Sequence, residues 1–160
     1  MQAPKPTPVS YARDQYWGVN AFKLVDGEGK GTFVRWYVVP DAGVLPLEAS
    51  LLETAEPDFL QKELAERLEK GEPIGFKLVA QVAEEGDVVN DATVHWPEER
   101  KVVELGSIVL NGVVEDHLKE SKNVIFDPIP RVEGIEPSDD PLLEMRAAVY
   151  LISGKQRRAA

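Results

Sequence analysis

The stretch Tyr16-Trp-Gly-Val-Asn-Ala-Phe-Lys-Leu-Val25, Asp26-Gly-Glu-Gly-Lys-Gly31, Thr32-Phe-Val-Arg-Trp-Tyr-Val-Val39 decides the fold class. Two runs rich in aromatic and β-branched residues flank a glycine-rich turn, which predicts an antiparallel hairpin. Further on, Ile74 to Glu84 alternates. Phe76, Leu78, Ala80 and Val82 share one face and Lys77, Val79 and Gln81 the other, as in a half-buried strand. Val102 to Leu110 reads as a fourth strand, turned by Asn111-Gly112. Between the hairpin and these strands, Leu60, Leu64 and Leu68 recur every four residues among Glu63, Glu66, Arg67 and Lys70. That spacing predicts an amphipathic helix, ended by Gly71.

Towards the carboxy terminus, Glu115 to Lys122 has a short helical pattern. Phe126 to Pro130 and Gly134 to Pro141 carry too many prolines for regular structure and read as a long ordered loop. Asp140 is a suitable N-cap before Pro141 at the first helical position, and Leu142 to Ile152 then reads as a helix closed by Gly154. Pro4, Pro6 and Pro8 make residues 1–10 a proline-rich, extended lead-in. No repeat or low-complexity tract divides the chain, so residues 1–160 are expected to form a single α+β domain.

Composition limits the function classes. The chain has 160 residues, 18 Lys+Arg against 28 Asp+Glu for a net charge of −10, 43% apolar residues and no cysteine. The absence of cysteine excludes disulfides, thiolate metal sites and a cysteine nucleophile. The acidic balance disfavours a phosphate backbone, and no apolar run is long enough to span a bilayer, so nucleic acid and membrane are not expected partners. Met1 to Pro8 lacks the apolar run of a signal peptide, and a soluble protein is expected, its compartment left open.

Few residues suggest chemistry by themselves. His95 and His117 lie far apart, with no acidic or histidine partner at helical spacing, and read as ordinary surface or half-buried histidines. Glu84-Glu85, Glu98-Glu99 and Asp139-Asp140 are adjacent pairs in loops, the pattern of solvated turns. The glycines of Asp26 to Gly31 do not form a phosphate loop, because no Ser or Thr follows Lys30 and no helix opens there. In the last helix Arg146 and Tyr150 stand at i and i+4 and so share a face. That spacing fits both an ordinary packing pair and a guanidinium that favours a phenolate.

The sequence around this pair resembles a known family. Arg146-Ala-Ala-Val-Tyr150 is similar to the Arg-x-x-x-Tyr motif that carries the proximal tyrosinate in haem catalases. Before it come Gly134-Ile-Glu-Pro-Ser138 and Phe126-Asp-Pro128, which resemble the catalase Gly-Ile-Glu-Pro-Ser and Phe-Asp-Pro segments. Trp96-Pro97, Glu104-Leu-Gly-Ser-Ile-Val-Leu-Asn111 and Tyr16 to Phe22 continue the match in order. The likeness runs from about Ala3 to Arg158 and is nearest to the catalase-related peroxidases. It implies half of the antiparallel catalase-type β-barrel, about four strands, with a connecting helix and a carboxy-terminal helix.

The resemblance also implies a site. Tyr150 would be the axial ligand to the iron of haem b, Arg146 its charge partner, and Asp140 the carboxylate that orients Arg146. Phe126 would pack on the haem face, and Arg157 would meet a propionate. An anionic oxygen ligand with a cation beside it favours ferric iron. Where catalases have the histidine of Gly-Ser-His-Thr, this chain has Asn20, a departure shared with the peroxidase branch that bears on catalase-level activity. The family's distal histidine and first barrel strands have no counterpart in the sequence, so the isolated chain is expected to supply only the proximal side and to be inactive alone. The implied reaction is reduction of hydrogen peroxide or organic peroxides by a small organic electron donor. An open apolar inner face, built from residues such as Phe22, Val34, Leu78 and Ile108, would demand a homodimer or a complex with an amino-terminal half. The competing expectation is a non-catalytic half-barrel that binds a small apolar ligand or pairs with itself.

Overall fold

A computed structural model describes residues 6–159, and the run expected to be one strand from Tyr16 to Val25 is two. Strands β1 (Tyr16–Trp17) and β2 (Phe22–Val25) both lie antiparallel to β3 (Gly31–Pro40). Trp17 opposes Tyr37 and Phe22 opposes Val34, so residues 18–21 stand against Arg35 and Trp36 alone. This bulge depends on Gly18, whose N–H donates to the Trp36 carbonyl at 2.9 Å. A Cβ at Gly18 would come within 2.6 Å of that same oxygen. Bulges take side chains out of the strand's alternation, and this one re-aims Asn20.

The hairpin turn is as the glycines require. Gly29 has φ +82°, and the Asp26 carboxylate accepts from the Glu28 and Lys30 N–H groups at 3.0 and 2.9 Å. The remaining elements are α1 (Ala49–Leu52), α2 (Phe59–Glu69), β4 (Ile74–Val82), β5 (Val102–Leu110), α3 (His117–Ser121), β6 (Ile135–Pro137) and α4 (Pro141–Ala159). Strand order in the sheet is β5-β4-β3-β2-β6, with β1 paired to β3 off that path, so the sheet is open and ends on β5 and β6.

The structure bears out an α+β arrangement with six antiparallel strands rather than about four. One extra strand comes from the Gly18 bulge. The other, β6, lies in the segment that its prolines had marked as irregular. Pro137 ends this strand, and Lys23 and Leu24 pair with Glu136 and Ile135. Gly154 does not close α4, which runs on to Ala159. Its missing side chain accommodates the tip of Ile125. Phe22 and Val34 are not on an open face either. Both are buried, with Phe22 stacked on Trp36 at 4.4 Å between ring centroids.

The chain divides into two compact units. One comprises residues up to Trp17, Tyr37–Val79 and Glu104–Val113, and the other comprises Gly18–Trp36, Ala80–Val103 and the segment from Val114 on. In the first, α2 turns Leu64 and Leu68 onto Ala12, Val38, Ile74 and Phe76. Burying Leu68 and Phe76 stabilises this unit by roughly 1.5–3 kcal/mol each. Ser10 caps the turn at Tyr11–Arg13 by accepting from the Ala12 N–H at 3.0 Å, and it donates to Glu63 at 2.6 Å. Of the lead-in, Pro4 and Lys5 lie outside the described residues. Pro8 bridges to Pro46, and Thr7 accepts from the Leu47 N–H at 2.7 Å. Tyr11, Tyr16, Leu64, Phe76, Ile108 and Leu110 border an apolar cavity of about 220 Å³. No helix among the described residues is long and apolar enough to cross a membrane.

Candidate active site

The second unit holds the site residues that the resemblance implies: Asn20, Phe126, Asp140, Arg146, Tyr150 and Arg157. Asp140 caps α4, its Oδ1 accepting from the Leu142 N–H at 2.9 Å, which completes the sequence-read pairing of an N-cap with Pro141. Although it stands in an acidic pair that reads as a solvated turn, Asp140 is only 5% exposed. Its Oδ2 accepts from Asn20 Nδ2 at 3.0 Å. Asn20, 3% exposed, accepts in turn from Arg146 Nη1 at 2.8 Å through Oδ1. The Arg146 guanidinium lies over the Tyr150 ring, its Cζ 5.4 Å from the centroid. A continuous chain therefore runs from the α4 N-terminus through the bulge and back to α4: Asp140, Asn20, Arg146, Tyr150.

The i, i+4 spacing puts Arg146 and Tyr150 together, as expected. The bulge supplies what spacing could not, a primary amide that joins a carboxylate and a guanidinium with its acceptor and donor ends correctly placed. In the sequence, Asn20 is marked by the resemblance, as a departure from the catalase histidine, and by being a polar residue between Val19 and Ala21, but neither signal gives its partners. Asp140 thus reaches Arg146 through Asn20.

Phe126 and Arg157 meet each other, with Arg157 Cζ 5.3 Å from the Phe126 centroid. Arg157 reaches the end of α3 and the loop after it. Its Nη1 donates to the Ser121 carbonyl at 2.8 Å and its Nη2 to the Val124 carbonyl at 2.7 Å. Those carbonyls take two of its five N–H groups, and Nε is buried without a partner. Phe126 remains 58% exposed and offers an apolar ring to a ligand. On α4, Leu142, Met145, Val149 and Ile152 form an exposed apolar stripe. His95 and His117 are both exposed, and no cluster of three or more His, Asp or Glu among the described residues could hold a metal ion.

Beside this site, the loop 84–100 is tied together by charge. Asp87 accepts from Arg100 Nε at 2.9 Å and Nη2 at 3.0 Å, and from the Glu84 N–H at 2.7 Å. These hydrogen bonds, those from Arg100 foremost, hold the Asp87 carboxyl below its ordinary value. Trp96 Nε1 donates to the Val88 carbonyl at 2.7 Å.

The catalase family profile matches residues 1–160. The chain belongs to the catalase family. Among curated members it is 38% identical to a catalase-related peroxidase of Mycolicibacterium paratuberculosis over 94% of this chain and 47% of that protein. It is 31% identical to the catalase-related peroxidase of Synechococcus elongatus over 94% of this chain and 44% of that protein. The chain therefore spans about half the length of these relatives. Among solved structures, a fungal catalase superposes with a TM-score of 0.83 at 27% identity, over 94% of this chain and 32% of that one. Catalase A from Saccharomyces cerevisiae gives 0.81 at 25% identity, over 94% and 33%.

Proposed function

We propose that this catalase-family chain provides the proximal haem side of a catalase-related peroxidase that reduces hydrogen peroxide or organic peroxides with a small organic electron donor. The observation that carries the reading is the hydrogen-bonded chain from Asp140 through Asn20 to Arg146, which ends over the Tyr150 ring. Nothing in ordinary helix packing requires a buried amide to bridge a buried carboxylate and a guanidinium at that position.

The donor set fits the group. Tyr150 offers a phenol oxygen, the Arg146 guanidinium brings a positive charge suited to an anionic ligand, and Phe126 and the α4 stripe present apolar surface to a flat macrocycle. When bound, haem b supplies the redox chemistry of its iron. The protein's part is to give up the Tyr150 Oη proton, to keep Arg146 over the ring, and to fix Arg146 through Asn20. Asp140, held by the Leu142 N–H and by Asn20, anchors that arrangement to the start of α4. Arg157 would serve a propionate through the N–H groups that the Ser121 and Val124 carbonyls leave unused.

Completion of the barrel belongs to the same proposal. β5 pairs with β4 alone, and Leu105, Ile108, Val109 and Leu110 on it are exposed. An amino-terminal half of the family fold, or a second copy of this chain in a homodimer, would cover that edge. The test is reconstitution with ferric haem. A 1:1 complex with a tyrosinate-ligated ferric spectrum supports the proposal. A protein that takes up no haem with or without an amino-terminal half defeats it and favours the alternative, a half-barrel whose 220 Å³ apolar cavity takes a small ligand.

A further inference from the structure

Arg35 (7% exposed) and Asp140 (5%) are buried residues that carry formal charge. Buried charges persist only when compensated. Arg35 Nη1 donates to the Val94 carbonyl at 2.7 Å, and Nη2 to the Asp91 and Val88 carbonyls at 3.1 and 3.3 Å. Its Cζ lies 4.4 Å from the Trp96 centroid. These partners are neutral: they fix the guanidinium in place without cancelling its charge. The hydrogen bonds of Asp140 likewise come from neutral donors, the Asn20 amide and the Leu142 N–H.

The sheet register brings the two charges into one neighbourhood. Phe22 opposes Val34 on β3 and Pro137 on β6, and Ala21, Arg35 and Ser138 each stand one position beyond that row, where the bulge begins. The Ser138 N–H donating to the Ala21 carbonyl at 3.3 Å fits that placement. Asp140 follows Ser138 by two residues. Ala21, between the two polar residues, is fully buried, and Arg35 Nε and Ser138 Oγ are buried without a hydrogen-bond partner. Burial disfavours the charge on Arg35, and the largest charge acting against that is Asp140, ahead of Asp87 and Asp91.

We propose that Arg35 is a positioning residue for the Tyr150 site: clamped by the 88–94 carbonyls and Trp96, it is the counter-charge of Asp140 and thereby fixes the orientation of the Asn20 amide. The assignment rests on reading Tyr150 as the ligand residue. A primary amide can be turned either way, and an anionic Asp140 is what demands its NH₂ end. With nitrogen on Asp140, oxygen must face Arg146, and Arg146 is then held over Tyr150. Without the Arg35 charge, Asp140 would relieve its burial by turning away from Asn20 or admitting water. Either change removes the demand on Asn20, and Arg146 loses its fixed acceptor.

The experiment uses the full chain labelled with ¹⁵N, and reads the Asn20 carboxamide and Arg146 guanidinium resonances in the parent, Arg35→Met and Arg35→Lys. In Arg35→Met the Asn20 pair should broaden or shift, and Arg146 guanidinium protons should exchange with solvent about tenfold faster. Arg35→Lys keeps the charge but cannot reproduce the three carbonyl bonds and the ring contact, so it should restore most of the parental signal. Resonances unchanged in Arg35→Met would overturn the proposal. So would an Arg35→Lys variant as perturbed as Arg35→Met, because Arg35 would then act only by shaping the loop. If Arg35→Met does not fold, Arg35→Lys alone decides by the same signal. A separate ferric haem titration of the parent tests the ligand reading. Its failure would leave the Asn20 resonances to judge Arg35 independently.

Discussion

Replacing Asn20 by Leu keeps the branched shape and the number of side-chain heavy atoms, at a larger volume, and removes both ends of the buried bridge. Asn20 makes one hydrogen bond to the Asp140 carboxylate at 3.0 Å and one to the Arg146 guanidinium at 2.8 Å, at 3% exposure. Hydrogen bonds to charged groups contribute about 1.5–3 kcal/mol each. The added apolar contact offsets part of that loss, while Asp140, itself buried, is left with the Leu142 N–H as its remaining donor. The expected cost is about 3–5 kcal/mol, large beside a typical total stability of about 5–15 kcal/mol. Asn20→Asp should cost at least as much, because an oxygen replaces the NH₂ that faces Asp140, setting two carboxyls against each other. Urea unfolding followed by circular dichroism, with a double-mutant cycle against Arg146→Met, measures both the total and the coupling. If Asn20→Leu costs less than about 1 kcal/mol, or the coupling to Arg146 is nil, the bridge does not do what its geometry implies.

Two further predictions follow from the same unit. Because the folded state holds Asp87 below its ordinary value of 3.8, its contribution is whole above that pH and is lost as pH falls through the depressed folded value. Trp96 fluorescence should therefore report loop opening in acid, and Asp87→Asn should weaken the loop at neutral pH while flattening this pH response. An identical acid profile in the variant would refute it. Gly154→Ala should fail to realise the helix-propensity gain of about 1 kcal/mol, because the new methyl meets Ile125. The gain should appear in an Ile125→Ala background. Thermal melts of the four proteins check it, and a plain gain in the parental background would contradict the packing.

How much of this was legible in the sequence depended on range. The hairpin, α2, the alternation of β4 and the Asp140-Pro141 start of α4 are local signals: turn glycines, period and capping. The Gly18 bulge was not legible, because it exists only when the Trp36 carbonyl is opposite, and so the role of Asn20 was hidden with it. β6 was hidden by its prolines, which an edge strand tolerates where no ladder N–H is needed. Gly154 read as a stop because the contact it serves, with Ile125, comes from a distant loop. Arg146 and Tyr150 were paired by helical spacing. Their link to Asp140 needed residues that are 120 and 126 positions apart in the chain.

The central claim, that Tyr150 is the residue through which this catalase-family chain holds haem iron, is tested most directly by ferric haem binding to the parent and to Tyr150→Phe, followed through the Soret band. The substitution nearly preserves packing volume and removes the one oxygen donor. The account predicts a stoichiometric tyrosinate-type spectrum in the parent, in whatever assembly binds haem, and loss of specific haem retention in Tyr150→Phe. The same five-coordinate spectrum and the same retention in both proteins would contradict it.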